Sequence, residues 1–186
     1  MQIGYYPGCS QEGTAKEYDK SLREILKILN VNPIEIDDWS CCGATSAHVT
    51  SHKLALALSA RNLALAEKQG LKEIFAPCAA CYNRLASSRN ELIEHPEHKS
   101  EIESIIEEKI NNIPEIFNIV NFFLKIVKEK ISEKKKIDLK NLKAACYYGC
   151  LLVRPMEAMA YDDQENPMKM EAVVSAIGAR PVEWAF

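Results

Sequence analysis

Ile3-Gly4-Tyr5-Tyr6-Pro7-Gly8-Cys9 is the stretch that decides the fold. A short apolar run meets a Pro-Gly pair and stops at a cysteine, the pattern of a buried strand ending in a turn. From Glu17 to Leu29, Leu22, Ile25, Leu26 and Leu29 recur at helical spacing, so a helix follows. Ile34 to Ile36 reads as a second strand, closed by Asp37-Asp38-Trp39-Ser40 and then Cys41-Cys42-Gly43. His52 to Gln69 is a second helix, with Leu54, Leu58 and Leu65 on one face and Leu56, Ala60 and Leu63 on another. Arg61 interrupts the first stripe, and Gly70 supplies the C-terminal stop. Glu73 to Ala76 is a third strand, and Pro77-Cys78-Ala79-Ala80-Cys81 opens a helix that reaches about Glu94. Strand and helix alternate three times, which predicts an α/β unit with a parallel sheet and right-handed crossovers. Cys9, the Cys41-Cys42 pair and Cys78 each fall just past the carboxyl end of a predicted strand, where open α/β sheets bind their ligands.

Beyond residue 94 the alternation breaks. A charged helical stretch covers His98 to Lys109, and an apolar-rich helix is predicted from Ile113 to about Ile131, with Phe117, Val120, Phe123, Leu124 and Val127 as core positions. Lys134-Lys135-Lys136 reads as a solvated helix end and linker. Then the opening pattern returns. Leu142 to Tyr148 is a strand running into Gly149-Cys150, Met168 to Ile177 is a helix, and Arg180-Pro181-Val182-Glu183-Trp184 mirrors Asn32-Pro33-Ile34-Glu35-Ile36. The spacing implies an internal duplication whose second Cys-Cys pair would fall a few residues beyond Phe186. The expected organisation is a first repeat over residues 1–94, a helical, lysine-rich connector over 95–140, and an incomplete, C-terminally truncated second repeat over 141–186.

With 186 residues, 47% of them hydrophobic, the chain can bury an ordinary core. A net charge of -3 gives no reason to expect nucleic acid. No run is long and apolar enough for a membrane span, and the N-terminus lacks the pattern of a signal peptide, so the expected compartment is the cytoplasm. Seven cysteines in a reducing compartment point to metal or redox chemistry rather than disulfides. A Cys-x-x-Cys at the first turn of a helix aims two sulfurs at one place, where free backbone amides favour negative charge. Adjacent cysteines, with Cα atoms about 3.8 Å apart, are an awkward pair for one tetrahedral ion but can both reach a polynuclear cluster. Gly8 and Gly43 would let the backbone come close to it. Structural zinc usually takes four ligands on two such hooks, whereas this chain offers one hook and five sulfurs. Five sulfurs imply an unusual iron-sulfur cluster, or four ligands plus a free thiol.

The residues Gly8-Cys9, Cys41-Cys42-Gly43 and Cys78-x-x-Cys81 together resemble the CCG domain, and Tyr147-Tyr148-Gly149-Cys150-Leu151-Leu152-Val153-Arg154-Pro155 resembles the start of its second copy in the heterodisulfide reductase B subunits. The resemblance covers essentially the whole chain. It implies two Rossmann-like βαβ repeats with parallel sheets and a helical insertion, the second repeat incomplete. It implies a [4Fe-4S] cluster, noncubane in type, held by Cys9, Cys41, Cys42, Cys78 and Cys81 and carrying the catalysis, with Cys150 the first ligand of a second cluster in a full-length protein. The implied function is a disulfide oxidoreductase that reduces the coenzyme M-coenzyme B type of disulfide to two thiols. Electrons would come from partners similar to the iron-sulfur and flavin subunits A and C of that enzyme, and the substrate would be a thiol or disulfide small molecule. The rival is an electron-relay subunit of a flavin dehydrogenase, or of a succinate/fumarate, glycolate or lactate oxidoreductase. Cys146 matches no motif position and reads as a plain strand residue, and His48 and His52 read as helix-surface histidines rather than proton donors.

Overall fold

The computed structural model describes residues 1–159 and 162–184, and the side chains of residues 127–129, 132 and 156 lie outside that description, so the expected core role of Val127 falls outside it. In chain order the elements are β1 (Gln2–Tyr5), α1 (Cys9–Glu12), α2 (Lys16–Ile28), β2 (Asn32–Glu35), α3 (Ser46–Thr50), α4 (His52–Lys68), β3 (Glu73–Phe75), α5 (Ala79–Glu94), α6 (Pro96–Ile106), β4 (Glu115–Phe117), α7 (Ile119–Lys134), β5 (Lys143–Ala144), α8 (Cys150–Val153), α9 (Met156–Met159), α10 (Lys169–Ala176) and β6 (Arg180–Pro181). Four strands form one parallel sheet in the order β2-β1-β3-β4, and β5 and β6 form a second, parallel pair. The fold is α/β with parallel sheets and a helical insertion, as the alternation predicts.

Strand alternation sorts the core onto the two faces of the first sheet. Ile3, Tyr5, Phe75 and Phe117 pack with Leu22 and Leu26 of α2 and with Phe122 and Ile126 of α7. On the opposite face, Ile74 and Ile116 pack with Leu56, Ala60, Leu63 and Ala64 of α4 and Leu85 of α5. The rings of Phe75 and Phe122 stack with centroids 4.1 Å apart and an interplanar angle of 12°. Ile25 sits at the edge of the buried stripe of α2 and is exposed, and Leu54 is exposed at the start of α4. The Ser51 side chain caps α4 by accepting from the Leu54 N–H, and Gly70 ends it by donating to the Glu67 carbonyl.

The helix expected over Ile113 to Ile131 is in fact a strand followed by a helix. Glu115 N–H donates to the Lys72 carbonyl, and the Phe117 carbonyl accepts from Ala76 N–H, so 115–117 extend the sheet beside β3. Pro114 stops helix formation upstream, and Asn118 restarts it by accepting from the Asn121 N–H. Pairing and burial at the sheet edge outweigh a helical spacing that ran through both segments.

The two segments that share the opening pattern also share a strand register. Ile3 pairs with Pro33 in the first sheet, and Ala144 pairs with Pro181 in the second. Counting on from Ile3 and from Ala144 by the same number of residues reaches Cys9 and Cys150, each the first residue of a short helix. The strand expected over Leu142 to Tyr148 pairs only at Lys143–Ala144. Replacing Phe122 with alanine removes one ring of the Phe75 stack and should cost about 3–5 kcal/mol. A urea titration checks this, and a loss under about 1 kcal/mol would show that α7 is not locked to the sheet.

Candidate thiol site

The sheet order reverses between β1 and β3, because β1 leads through α2 to β2 on one side while β3 leads through α5 and α6 to β4 on the other. The turns after β1 and β3 therefore diverge and open a crevice at the carboxyl edge. Cys9 opens α1 after β1, and Cys78 is the N-cap residue of α5 after β3, with Cys81 in its first turn. Cys41 and Cys42 lie in the loop after β2. Cys9 and Cys41 are exposed, Cys78 is half-buried, and Cys42 and Cys81 are buried.

The loop that carries Cys41 and Cys42 is fastened from below by buried polar groups. Asn62 of α4, fully buried, accepts from Ser40 N–H at 2.8 Å and donates to the Ser40 carbonyl at 3.0 Å. The Tyr6 hydroxyl donates to that same carbonyl at 2.6 Å, its ring edge-on to Trp39 at 5.3 Å. Ser59, also fully buried, donates to the Cys42 carbonyl at 3.1 Å. From the other side, Gly8 has a φ of 73°, and a Cβ there would stand 2.7 Å from the Cys81 sulfur. Gly43, with a φ of 77°, turns the chain so that its N–H points to Cys41 Sγ at 3.4 Å.

These placements set the charges. Cys42 Sγ and Cys81 Sγ lie 3.5 Å apart. The Cys78 thiol is pulled down to about 6, first by its hydrogen bond from Cys81 and then by the free amides of Cys81 and Ala80 at the start of α5, against the cost of burial. Cys42 is drawn down to about 7, again mainly by Cys81, with help from the Ala44 amide. Cys81 moves far upward, because it keeps the proton that Cys42 and Cys78 both accept. Tyr6 is also pushed up, first by burial and then by the negative charge of Cys42, Cys81, Cys41 and Cys9 around it. The arrangement is a buried dithiol sharing one proton with an activated, half-buried thiolate.

Sequence reasoning placed a [4Fe-4S] cluster on Cys9, Cys41, Cys42, Cys78 and Cys81, and the structure corrects this. The five cysteines share one edge of the sheet, but among the described residues no group of three or more histidines, cysteines, aspartates or glutamates could hold a metal ion. Cys42, Cys78 and Cys81 satisfy one another by hydrogen bonding, Cys41 is turned to the Gly43 amide, and Cys9 stands exposed at the rim. Cys150 is exposed at the start of α8, in a cleft of about 450 Å³ lined also by Asn83, Arg84 and Arg154. Cys146 is buried, and burial followed by the nearby Glu171 lifts its thiol to about 11. His48 is exposed, and His52 is mostly exposed beside Glu91 at 3.1 Å. Tyr6, Ser59 and Asn62 are the functional positions that reading the sequence missed. Ser59 and Asn62 stand as polar residues among the leucines and alanines of α4, which is the signal that could have found them.

A cysteine-rich domain, the CCG family, matches residues 3–86. The chain is 33% identical over 184 residues to the 8-methylmenaquinol:fumarate reductase membrane anchor subunit of Wolinella succinogenes, covering 97% of this chain and 63% of that protein. It is 29% identical over 188 residues to the B subunit of the ferredoxin/F(420)H(2)-dependent CoB-CoM heterodisulfide reductase of Methanosarcina acetivorans, covering 98% of this chain and 62% of that protein. The chain thus spans somewhat under two thirds of the length of these relatives. Among solved structures, a hypothetical protein from Helicobacter pylori shares the fold, with a TM-score of 0.69 and 14% identity over 99% of this chain and 33% of that one. Residues 3–86 are thus similar to the cysteine-rich CCG domain, and the chain is distantly similar to subunits of the fumarate and heterodisulfide reductases of these organisms. No helix among the described residues is long and apolar enough to cross a membrane.

Two outcomes test the site. Alkylation of Cys78 by iodoacetamide should be half-maximal near the pH of about 6 set by its lowered thiol, so the residue is largely thiolate at neutral pH. Replacing Cys81 with alanine removes the largest cause and should move that midpoint upward, whereas a wild-type midpoint near about 8.5, the ordinary thiol value, would refute the shared proton. Asn62→Leu leaves the Ser40 amide without its side-chain partner and the Ser40 carbonyl with the Tyr6 hydroxyl alone, and should cost about 2–3 kcal/mol in urea unfolding, with faster alkylation of Cys42.

Proposed function

We propose that this chain is the thiol-disulfide centre of an electron-transfer oxidoreductase complex, reducing a small disulfide of the coenzyme M-coenzyme B type to two thiols with electrons from a partner protein. The observation that carries this reading is the juxtaposition of Cys78 at the N-terminus of α5 with the buried Cys42-Cys81 pair, whose sulfurs lie 3.5 Å apart. The names of the Methanosarcina relatives support the substrate class.

In the proposed reaction the Cys78 thiolate attacks one sulfur of the substrate RS–SR′, forming a Cys78–S–SR bond and expelling R′S⁻. Cys81 gives its proton to that leaving thiolate. The Cys81 thiolate then attacks the Cys78 sulfur, closing a Cys78–Cys81 disulfide and releasing RS⁻. Two electrons from the partner cleave the Cys78–Cys81 disulfide, and of two protons from solvent one returns to Cys81 and the other goes to RS⁻, leaving Cys78 as the thiolate that began the cycle. Cys42, 3.5 Å from the Cys81 sulfur, holds that sulfur in place at the bottom of the crevice in the resting state. Cys9 and Cys41 form the exposed rim where substrate and partner arrive. Partners similar to the iron-sulfur and flavin subunits of the relatives' complexes would supply the electrons.

A second reading is favoured by the 33% identity to the fumarate reductase protein of Wolinella. There the same dithiol would pass electrons between partner proteins without taking a small disulfide. The two separate in an acid-quenched reaction of the reduced, anaerobic protein with the heterodisulfide, analysed by peptide mass spectrometry. Disulfide reduction predicts a mixed disulfide on Cys78 that accumulates in Cys81→Ser and is absent in Cys78→Ser. No adduct on Cys78 in either form would leave the relay reading. Stoichiometric iron and sulfide in the anaerobically isolated protein would overturn the dithiol chemistry in both.

A further inference from the structure

On the flank of the carboxyl edge away from the Cys42-Cys81 pair, a cleft of about 840 Å³ opens between α1, α2 and the end of β2, starting at Pro7. Its volume falls in the range of small-molecule sites. A connected polar network forms its floor. Tyr5, fully buried, has its hydroxyl 2.6 Å from the Gln11 side-chain oxygen and 2.5 Å from Asp19 Oδ1. Arg23 donates to Asp19 at 2.7 Å and to Glu35 at 3.0 Å, with its guanidinium 4.6 Å above the Tyr5 ring, and Trp39 donates to the other oxygen of Glu35 at 3.2 Å.

Counting hydrogens fixes what is missing from this network. Tyr5 has one proton, and an ionised Asp19 can only accept, so that proton goes to Asp19. Its burial and its bond to Asp19 hold the Tyr5 hydroxyl well above the usual range, in its protonated form. Gln11 must then present an N–H to the Tyr5 oxygen, which turns its amide over and places its carbonyl oxygen where the side-chain nitrogen would otherwise stand. That position is buried and has no hydrogen-bond partner, and Gln11 is only 3% exposed. A buried acceptor of this kind requires a donor. Around it the cleft carries four carboxylates, Glu12, Glu17, Asp19 and Glu35, against three cations, Lys16, Lys20 and Arg23. Arg23 pairs with the two floor carboxylates, and the lysines are exposed at the rim, free to swing into solvent.

We propose that this cleft is a binding site for a small primary amine, whose ammonium donates to the Gln11 carbonyl while the surrounding carboxylates balance its charge. The site is separate from the dithiol and does not depend on its chemistry. The test is a titration of the full chain, labelled with nitrogen-15, with 1,5-diaminopentane, glutarate serving as the anionic counterpart at matched ionic strength. The amine should shift the amides of Gln11, Asp19, Lys20 and Arg23 saturably. Gln11→Met removes the acceptor and should weaken binding about tenfold or more, as expected for one charge-assisted hydrogen bond. Lys20→Gln, on the exposed rim, removes a repelling cation and should tighten binding. Saturable binding of glutarate in place of the amine, no saturable shift with the amine, or an unchanged affinity in Gln11→Met with Lys20→Gln also unchanged, would each overturn the assignment.

Discussion

A side chain at Gly8 would put a carbon 2.7 Å from the Cys81 sulfur, so the turn after β1 and the first turn of α5 can meet only because residue 8 has none. The rest of the site depends on that approach. It brings the Cys9 turn against the helix that carries Cys78 and Cys81, and it presses Tyr6 into the floor under all of them. Crevices at a strand-order reversal ordinarily stay open to water. Here the backbone closes the bottom, and Cys42 and Cys81 are sealed in beside each other and Cys78.

Burying thiolates is costly unless they are paired with donors. The solution in this fold is to spread about one proton over three sulfurs and to use backbone amides for the remainder. The amides of Ala80 and Cys81 serve Cys78, and the Ala44 amide serves Cys42. None of these donors is a cation. Reactivity therefore concentrates at Cys78, which has the strongest stabilisation and the most access among the three sulfurs that share a proton. Because the donors are backbone groups, their aim relies on loop position, and loop position relies on Asn62, Ser59 and Tyr6.

What could be read from the residues alone was the placement of cysteines at strand ends, since period-two and helical spacings locate the ends of elements well wherever they alternate. The segment from Ile113 to Phe117 defeated that reading because a strand and a helix ran together with compatible apolar spacing. Phe122, stacked on Phe75, was missed for the same reason, as its neighbour Phe123 fitted the assumed stripe better. The metal expectation failed at a different level. Spacing tells which sulfurs share an edge, but whether they converge on an ion or on one another is decided by loop conformation at Gly8 and Gly43, and a glycine's φ leaves no trace in residue type.

The segment around β5 and β6 shares a register with β1 and β2 but has different partners beside it. The residue two past Ile3 is Tyr5, and the residue two past Ala144 is Cys146, both buried. In the first copy the Tyr5 carbonyl accepts from the backbone of Ile36 and lies between two strands. In the second, the Cys146 carbonyl accepts instead from the indole of Trp184, and β5 has a partner strand on one side alone among the described residues. β5 pairs with β6 over two residues, where β1 pairs with β2 over four. β3, which pairs with the other edge of β1, is the strand that leads into Cys78.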